Sequence, residues 1–229
     1  LAPLLEALTT TGNGHYSLVV DTHDTNPEIF SDYRVKEAMI AGLGSGYTEL
    51  AERLEEWLIK EDASLLPVLK RGFDPKGKKE MVRRVHVVEG IAGAGENGWY
   101  LSLLEQAEKE VREAAIYALR HSPENCQLLI GLTKTEKGNC KKAAMWALSK
   151  MENKESREFW EKQIKKKPAA TARYLTLSTD DAISDLVANA MSSILDELKA
   201  RADSADVLLS NEEYGRLGAL FDAMMGKAS

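Results

Sequence analysis

The stretch VREAAIYAL (residues 111–119) returns as CKKAAMWAL (residues 140–148), 29 residues further along the chain. Small or apolar residues occupy offsets 0, 3, 4, 7 and 8 in both copies. On a helix that turns by about 100° per residue, these positions form one stripe. Related copies are VKEAMIAGL (35–43), RRVHVVEGI (83–91) and AATARYLTL (169–177), of which the last is the least similar. The recurrence predicts an amphipathic helix that is repeated along the chain.

A second amphipathic segment follows each copy after a polar or glycine-containing break. ELAERLEEWLIK (49–60) and SREFWEKQIKK (156–166) are two examples. The unit is therefore a helical hairpin, and one hairpin cannot bury its own apolar stripe, whereas several stacked hairpins can. The pattern predicts an all-α fold, an α-α superhelix (solenoid) of about five helical hairpins.

The runs VREAAIYALRHSPENCQLLIGL and CKKAAMWALSKMENKESREFW resemble HEAT repeats, particularly the short bacterial form of phycobilisome-lyase-like proteins. The resemblance covers residues 33–198 and implies an armadillo-like solenoid. It implies no particular activity, because HEAT arrays serve many functions. Two features depart from the family pattern. The usual glycine-aspartate-proline turn is replaced, and the period is shorter than the ~40–47 residues of longer HEAT units.

Three segments are expected within one continuous domain. Residues 1–31 are predicted to be an irregular N-terminal segment that includes the strand-like YSLVVD (16–21). Residues 32–198 are predicted to form the HEAT-like array, with one added helix and a loop at 62–80. Residues 199–229 are predicted to form C-terminal capping helices.

A glycine cluster in VHVVEGIAGAGENGW (85–99) has the spacing Gly93-x-Gly95-x-x-Gly98. This spacing is found in dinucleotide-binding loops, where the glycines follow a β-strand and open a helix. Here the preceding residues belong to the copy RRVHVVEGI, and another copy of the helical unit follows. We therefore predict a helix over residues 85–89, glycines that stop it, and no cofactor.

Histidine and aspartate residues are close together in HYSLVVDTHD. His15, Asp21, His23 and Asp24 are residue types that ligate metals. A zinc or iron site needs three or four converging ligands, and the other histidines lie in separate repeats. We predict a polar loop and no metal site.

No nucleophile, paired acid or phosphate-binding motif is found, and the chain is predicted not to be an enzyme. His86 stands at an inward position of its copy and is predicted to be a packed core histidine. Cys126 and Cys140 are predicted to be structural, since free cysteine commonly acts as a small buried apolar residue.

Composition limits the classes of partner. The 229 residues carry a net charge of −6, whereas dedicated nucleic-acid binders usually have a basic excess. No apolar run approaches the ~20 residues of a membrane span, and two cysteines give no disulfide framework. We expect a cytoplasmic protein with no membrane association, either a monomer or part of a longer chain. One basic run, KQIKKKP (162–168), is a solvated helix end or a contact for an acidic partner.

The predicted function is a non-catalytic scaffold that binds a protein or peptide partner on its concave face. In solenoids that face is usually lined by the second helices of successive units. The candidate binding residues are the polar ones on those helices: Glu52, Glu56, Ser102, Glu105, Gln127, Lys134, Glu158, Glu161 and Lys165.

Alternatives remain open. Some small HEAT-like proteins excise damaged bases from DNA, with a tryptophan at the centre of a basic concave face. Trp99, Trp146 and Trp160 are available for such a role, although the net negative charge of the chain argues against a nucleic-acid partner. The resemblance also suggests a lyase or chaperone for a bilin-bearing protein. Tyr117, Trp146 and Leu175 occupy equivalent or neighbouring positions and form either a contact ridge or packing between repeats.

Overall fold

A computed structural model describes residues 1–176, 178–202 and 209–226 of the chain. Within these ranges the regular structure is helical and no strand occurs, which confirms the all-α prediction. The contacts divide the chain into two compact units, Leu1–His121 and Ser122–Ser229. The division falls inside the segment 32–198 that is predicted as one array.

Five short 3₁₀ helices lie between helices in the described ranges, at Pro27–Ser31, Ala63–Leu65, Gly93–Glu96, Leu119–His121 and Pro123–Asn125. The first unit contains α1 (Ala2–Thr9), α2 (His15–Thr25), α3 (Tyr33–Gly42), α4 (Thr48–Leu58), α5 (Leu66–Lys70), α6 (Lys79–Ala92), α7 (Asn97–Gln106) and α8 (Lys109–Ala118). The second unit contains α9 (Cys126–Thr135), α10 (Gly138–Ser149), α11 (Lys154–Lys166), α12 (Pro168–Leu175), α13 (Asp181–Ala202) and α14 (Asn211–Met225).

The recurring unit forms the first helix of each pair and buries the predicted stripe. In α8 the buried residues include Val111, Ala114, Ala115 and Ala118, which are offsets 0, 3, 4 and 7. The corresponding residues of α3 are Val35, Ala38, Met39 and Gly42, and they are also buried. Within its unit, α8 packs against α6 and α7. Small residues at these offsets permit this packing, because the distance between helix axes depends on side-chain size.

Residues 85–89 lie within α6, as the repeat predicts. The burial of this copy, however, does not follow the register of RRVHVVEGI. Its buried residues include Val87, Val88 and Glu89, which match Ala114, Ala115 and Ile116 of α8 when counting starts at Arg84, although Arg84 itself is half-buried. The alignment places a basic residue first in either register, so the letters alone do not distinguish the two.

This one-residue shift rotates His86 away from the core, so the prediction of a packed core histidine is wrong. Its side chain is 41 % exposed, and Nδ1 lies 3.0 Å from Glu55 Oε1 on α4. Arg83 also approaches Glu55, with Nε 3.5 Å from Oε2. His86 therefore joins two helices of the first unit through a polar contact at their edge.

The strand-like segment predicted at residues 16–21 is also wrong, since these residues lie within α2. The N-terminal segment, expected to be irregular, contains α1, α2 and a 3₁₀ helix at Pro27–Ser31. Val19 is buried, and α2 packs on α1. The β-branched residues of YSLVVD favour a strand only where a neighbouring strand is present, and tertiary packing overrides that preference.

Gly93 ends α6 with a left-handed backbone, at φ +49°. A 3₁₀ turn at Gly93–Glu96 follows, and α7 begins at Asn97. A residue with a Cβ is strained at this φ, so glycine suits the helix stop. The predicted role of Gly93 is confirmed.

Candidate functional site

An open groove of about 650 Å³ lies within the second unit, between α11, α13 and α14. We call it the α11–α13 groove. Its floor is apolar and includes Ile164, Leu186, Ala190 and Ile194. Its rim is polar and is formed by Glu161, Lys165, Lys166, Asn189, Ser193, Glu197 and Arg216.

The face that α13 turns to the groove follows from helix periodicity. Leu186, Ala190 and Ile194 are spaced four residues apart, and Asn189, Ser193 and Glu197 run beside them. Residues spaced by three or four positions share a helix face, so the lining covers about three turns, or about 16 Å of helix. The three apolar residues are only partly buried, so the described chain leaves this face half-covered.

The opposite wall comes from the end of α11. Ile164 is buried, whereas Lys165 and Lys166 in the last turn are exposed. Cations are favourable at a helix C-terminus, where the carbonyl groups carry partial negative charge. Lys167 has left the helical conformation, and Pro168 then opens α12, since proline suits the first turn of a helix and cannot continue one.

Two of the charged rim residues are paired within their own helices. Lys165 Nζ donates to Glu161 Oε1 at 2.7 Å, and this hydrogen bond lowers the pKa of the Glu161 carboxyl. Arg216 Nη2 donates to Glu212 Oε1 at 2.5 Å. Within the described ranges, no oppositely charged group lies within 4.0 Å of Lys166 or Glu197. Among the described residues, Lys166 on the α11 side and Glu197 on the α13 side are therefore rim charges without an ion-pair partner.

All nine predicted binding residues lie on second helices, namely α4, α7, α9 and α11. Ser102 and Glu161 are half-buried and the other seven are exposed. Ser102 Oγ is used within α7, where it donates to the carbonyl of Trp99 at 2.7 Å. Four of the nine belong to the first unit and five to the second. Of the nine predicted residues, Glu161 and Lys165 line the α11–α13 groove.

Most of the groove was not predicted from the sequence. The hairpin pattern also predicts a second helix in AISDLVANAMSSILDEL (182–198), but it does not distinguish Leu186, Ala190 and Ile194 as the lining of a groove. The four-residue spacing of these three residues was the available signal. Arg216 could not be found in this way, because α14 reaches the groove only through tertiary packing.

The other candidate sites are occupied by structural contacts. His23 stacks on Trp57, with ring centroids 3.8 Å apart, and the expected polar loop is helix α2. In the part of the chain that the structure describes, no three His, Cys, Asp or Glu residues are arranged to hold a metal ion. Cys126 is buried, with Sγ 3.3 Å from Asn153 Oδ1, and burial raises the pKa of its thiol. Cys140 is half-buried.

The three tryptophans considered for DNA contact are all used in packing. Trp160 is fully buried and donates from Nε1 to the Leu148 carbonyl at 3.3 Å. Trp146 packs edge-on against Tyr174 at 4.9 Å, and Trp99 packs against Phe73 at 5.1 Å.

The possible ridge is also largely covered within each unit. Leu175 is buried and Trp146 is half-buried. Tyr117 is half-buried beneath the Arg120 guanidinium, whose central carbon lies 3.8 Å from the ring centroid. These contacts support packing between helices as the role of the three residues.

Among the described residues, no helix is long and apolar enough to cross a membrane. Comparison with protein families, curated proteins and solved structures gives no match to this chain.

Proposed function

We propose that this protein is a non-catalytic interaction module that binds a partner protein in the α11–α13 groove. The observation that carries this proposal is the partly buried apolar floor of the groove, bordered by charged side chains. Covering such a floor with apolar side chains is favourable, and the charged rim adds specificity. An apolar patch with a polar border is typical of protein interaction sites.

The proposal includes a HEAT-like stacking of the hairpins. Its support is the burial of offsets 3, 4 and 7 in α3, α8 and α10, together with the packing of α9 on α10 and α11 on α12. In such a fold the second helix of each hairpin carries the binding surface. Helix α11 is the second helix of the hairpin that begins with α10, and α13 is the second helix of the hairpin that begins with α12. A cytoplasmic location, and a monomer or part of a longer chain, remain predictions.

Two adjacent serines on α13 allow a matched test. Ser193 lines the groove, whereas Ser192 is also exposed and lies outside the lining. Ser193→Trp should fill the groove with an indole, and Ser192→Trp should add the same indole elsewhere. Each variant and the wild type would be immobilised, and proteins captured from an extract of the source cells would be quantified by mass spectrometry.

We expect at least one protein to be captured by the wild type and by Ser192→Trp, and lost with Ser193→Trp. Circular dichroism of the three proteins controls for folding. Equal capture by Ser193→Trp, or no specific capture at all, would refute the proposed function.

A further inference from the structure

We infer that the α11–α13 groove selects an acidic amphipathic helix from another protein. This inference rests on the proposed function and specifies the chemistry of the partner. It follows from the length of the groove, its apolar floor and the charges on its rim.

The length of the lining favours an elongated occupant. The residues on α13 extend over three turns, and the apolar ones recur at every fourth position. A helix laid along such a face presents its own apolar residues at i, i+4 and i+7, which is the usual pattern of helix-in-groove recognition. Three apolar side chains of the partner would then meet Leu186, Ala190 and Ile194.

The charges on the α11 side of the groove favour an acidic partner, because four lysines lie there within residues 162–167. Three cations line the groove, Lys165, Lys166 and Arg216, against the two anions Glu161 and Glu197. Lys162 and Lys167 lie beside them and are exposed. Residues 122–229 contain 16 basic and 16 acidic residues, so this lysine cluster is a local excess in a unit without net charge. A carboxylate on the partner would face Lys166, which has no oppositely charged group within 4.0 Å among the described residues.

The apolar floor argues against a polyanion that uses charge alone. A nucleic-acid backbone or an anionic membrane surface would contact the lysines and leave Leu186 and Ile194 uncovered. An amphipathic helix satisfies both parts of the site, because apolar contacts supply affinity and complementary charges supply selectivity.

A displayed peptide library tests the inference directly. The peptides would be helical, with leucine at i, i+4, i+7 and i+11, and with flanking positions randomised among Glu, Gln and Lys. The wild type, Lys165→Glu/Lys166→Glu, and the control Lys141→Glu/Lys142→Glu would be used as baits. Lys141 and Lys142 are exposed on α10 and do not line the groove, so the control has the same charge change.

We expect Glu to exceed Lys at the flanking positions by roughly fivefold after selection on the wild type, since each exposed ion pair contributes about 0.2–1 kcal/mol. The control should keep this preference, and Lys165→Glu/Lys166→Glu should reverse it. Clones without a preference for Glu, or a preference that survives the double substitution, would overturn the inference.

Ser193→Trp separates this inference from the proposed function. If Ser193→Trp abolishes binding of clones that show no preference for Glu, the groove binds a partner and the acidic chemistry is wrong. If the clones bind Ser193→Trp unchanged, both ideas fail. Binding of anionic vesicles and of a DNA duplex would also be measured for the wild type, Ser193→Trp and Lys165→Glu/Lys166→Glu. If either ligand binds the wild type and Ser193→Trp equally but fails to bind Lys165→Glu/Lys166→Glu, the two lysines bind a polyanion. That result would overturn the inference that the groove selects an acidic helix.

Discussion

Gly42 lies where α3 approaches two neighbouring helices of the first unit. A Cβ built at this position would stand 2.6 Å from Leu54 Cδ1 and 2.7 Å from the backbone oxygen of Leu8. The side chain of Leu54 could move, but the Leu8 carbonyl belongs to the backbone of α1. Glycine is therefore required here for close packing.

We predict that Gly42→Ala lowers the free energy of unfolding by about 1–3 kcal/mol, the usual cost of overpacking a core. Gly131 provides the comparison, because it lies in the middle of α9 with no atom within 4 Å of an added Cβ. Gly131→Ala should raise the free energy of unfolding by up to about 1 kcal/mol, since alanine loses less backbone entropy in a helix. Urea titration of both variants measures this, and a Gly42→Ala protein as stable as the wild type would contradict the close approach.

Glu89 shows how a single buried charge is accommodated. Glu89 is buried on α6, where its carboxylate pairs with the Arg120 guanidinium and accepts from His121 Nε2 at 3.0 Å. Nearby, burial raises the pKa of Tyr100, and the charge of Glu89 adds to this effect. Buried charges require such partners. An acid that is buried on a repeated helix therefore requires a partner, and the sequence does not identify it.

At the scale of the helices, Asp32 is the residue that starts α3. Its Oδ1 accepts from the Arg34 backbone N–H at 2.9 Å and from Arg34 Nε at 3.1 Å. The side-chain hydrogen bond from Arg34, together with this backbone bond, lowers the pKa of the Asp32 carboxyl from 3.8 to about 2. Asp32 is thus a helix cap that is held in its charged form.

We predict that this cap stabilises the protein above pH 4 and is progressively lost as the pH falls through about 2. The sign follows from the lowered pKa, because the unfolded chain takes up the proton at higher pH than the folded one. Asp32→Asn keeps a good N-cap but removes the titration.

The difference in Tm between the wild type and Asp32→Asn should therefore shrink between pH 5 and pH 2. An NMR titration of the Asp32 carboxyl measures the pKa itself. A value of 3.8 or higher would contradict the geometry of the cap.

Periodicity predicted the helices more reliably than their rotation. The stripe of α8 and its copies was visible because a helix must repeat its apolar residues every three or four positions. In α6, however, valines at neighbouring positions fit two registers that differ by one residue. The choice between them depends on which valines contact the adjacent helices, and only packing shows this.

At the scale of the whole molecule, the charge is unevenly distributed along the chain. Residues 1–121 carry 14 basic and 20 acidic residues, which accounts for the entire net charge of −6. The second unit has no net charge. This distribution, together with the packed tryptophans, gives no support to the DNA-repair alternative.

We predict that a labelled DNA duplex binds this protein no more tightly than a Kd of about 10⁻⁴–10⁻⁶ M at physiological salt, the range of non-specific binding. Fluorescence anisotropy at several salt concentrations measures it. A much tighter affinity that falls steeply with salt would favour the DNA alternative. Lys165→Glu/Lys166→Glu would then show whether the α11–α13 groove is responsible.

The α11–α13 groove could be predicted only in part. The sequence placed Glu161 and Lys165 on a second helix, because the hairpin pattern separates the two helices of each unit. The sequence did not show that Glu161 and Lys165 share a groove with Ile194 and Arg216, because Ile194 and Arg216 lie much further along the chain. A groove is a property of three packed helices, and the distances between helices do not appear in the periodicity of any one of them.

The sequence alone determined that the chain is helical, where Gly93 stops a helix and which stripe of α8 is buried. These are local consequences of side-chain size, backbone freedom and a period of 3.6 residues. Tertiary structure alone decided that residues 16–21 are helical, that His86 faces outward and that Arg216 of α14 lines the groove. Each of these depends on which neighbour a side chain meets, and contacts between distant residues outweigh the preferences of the local sequence.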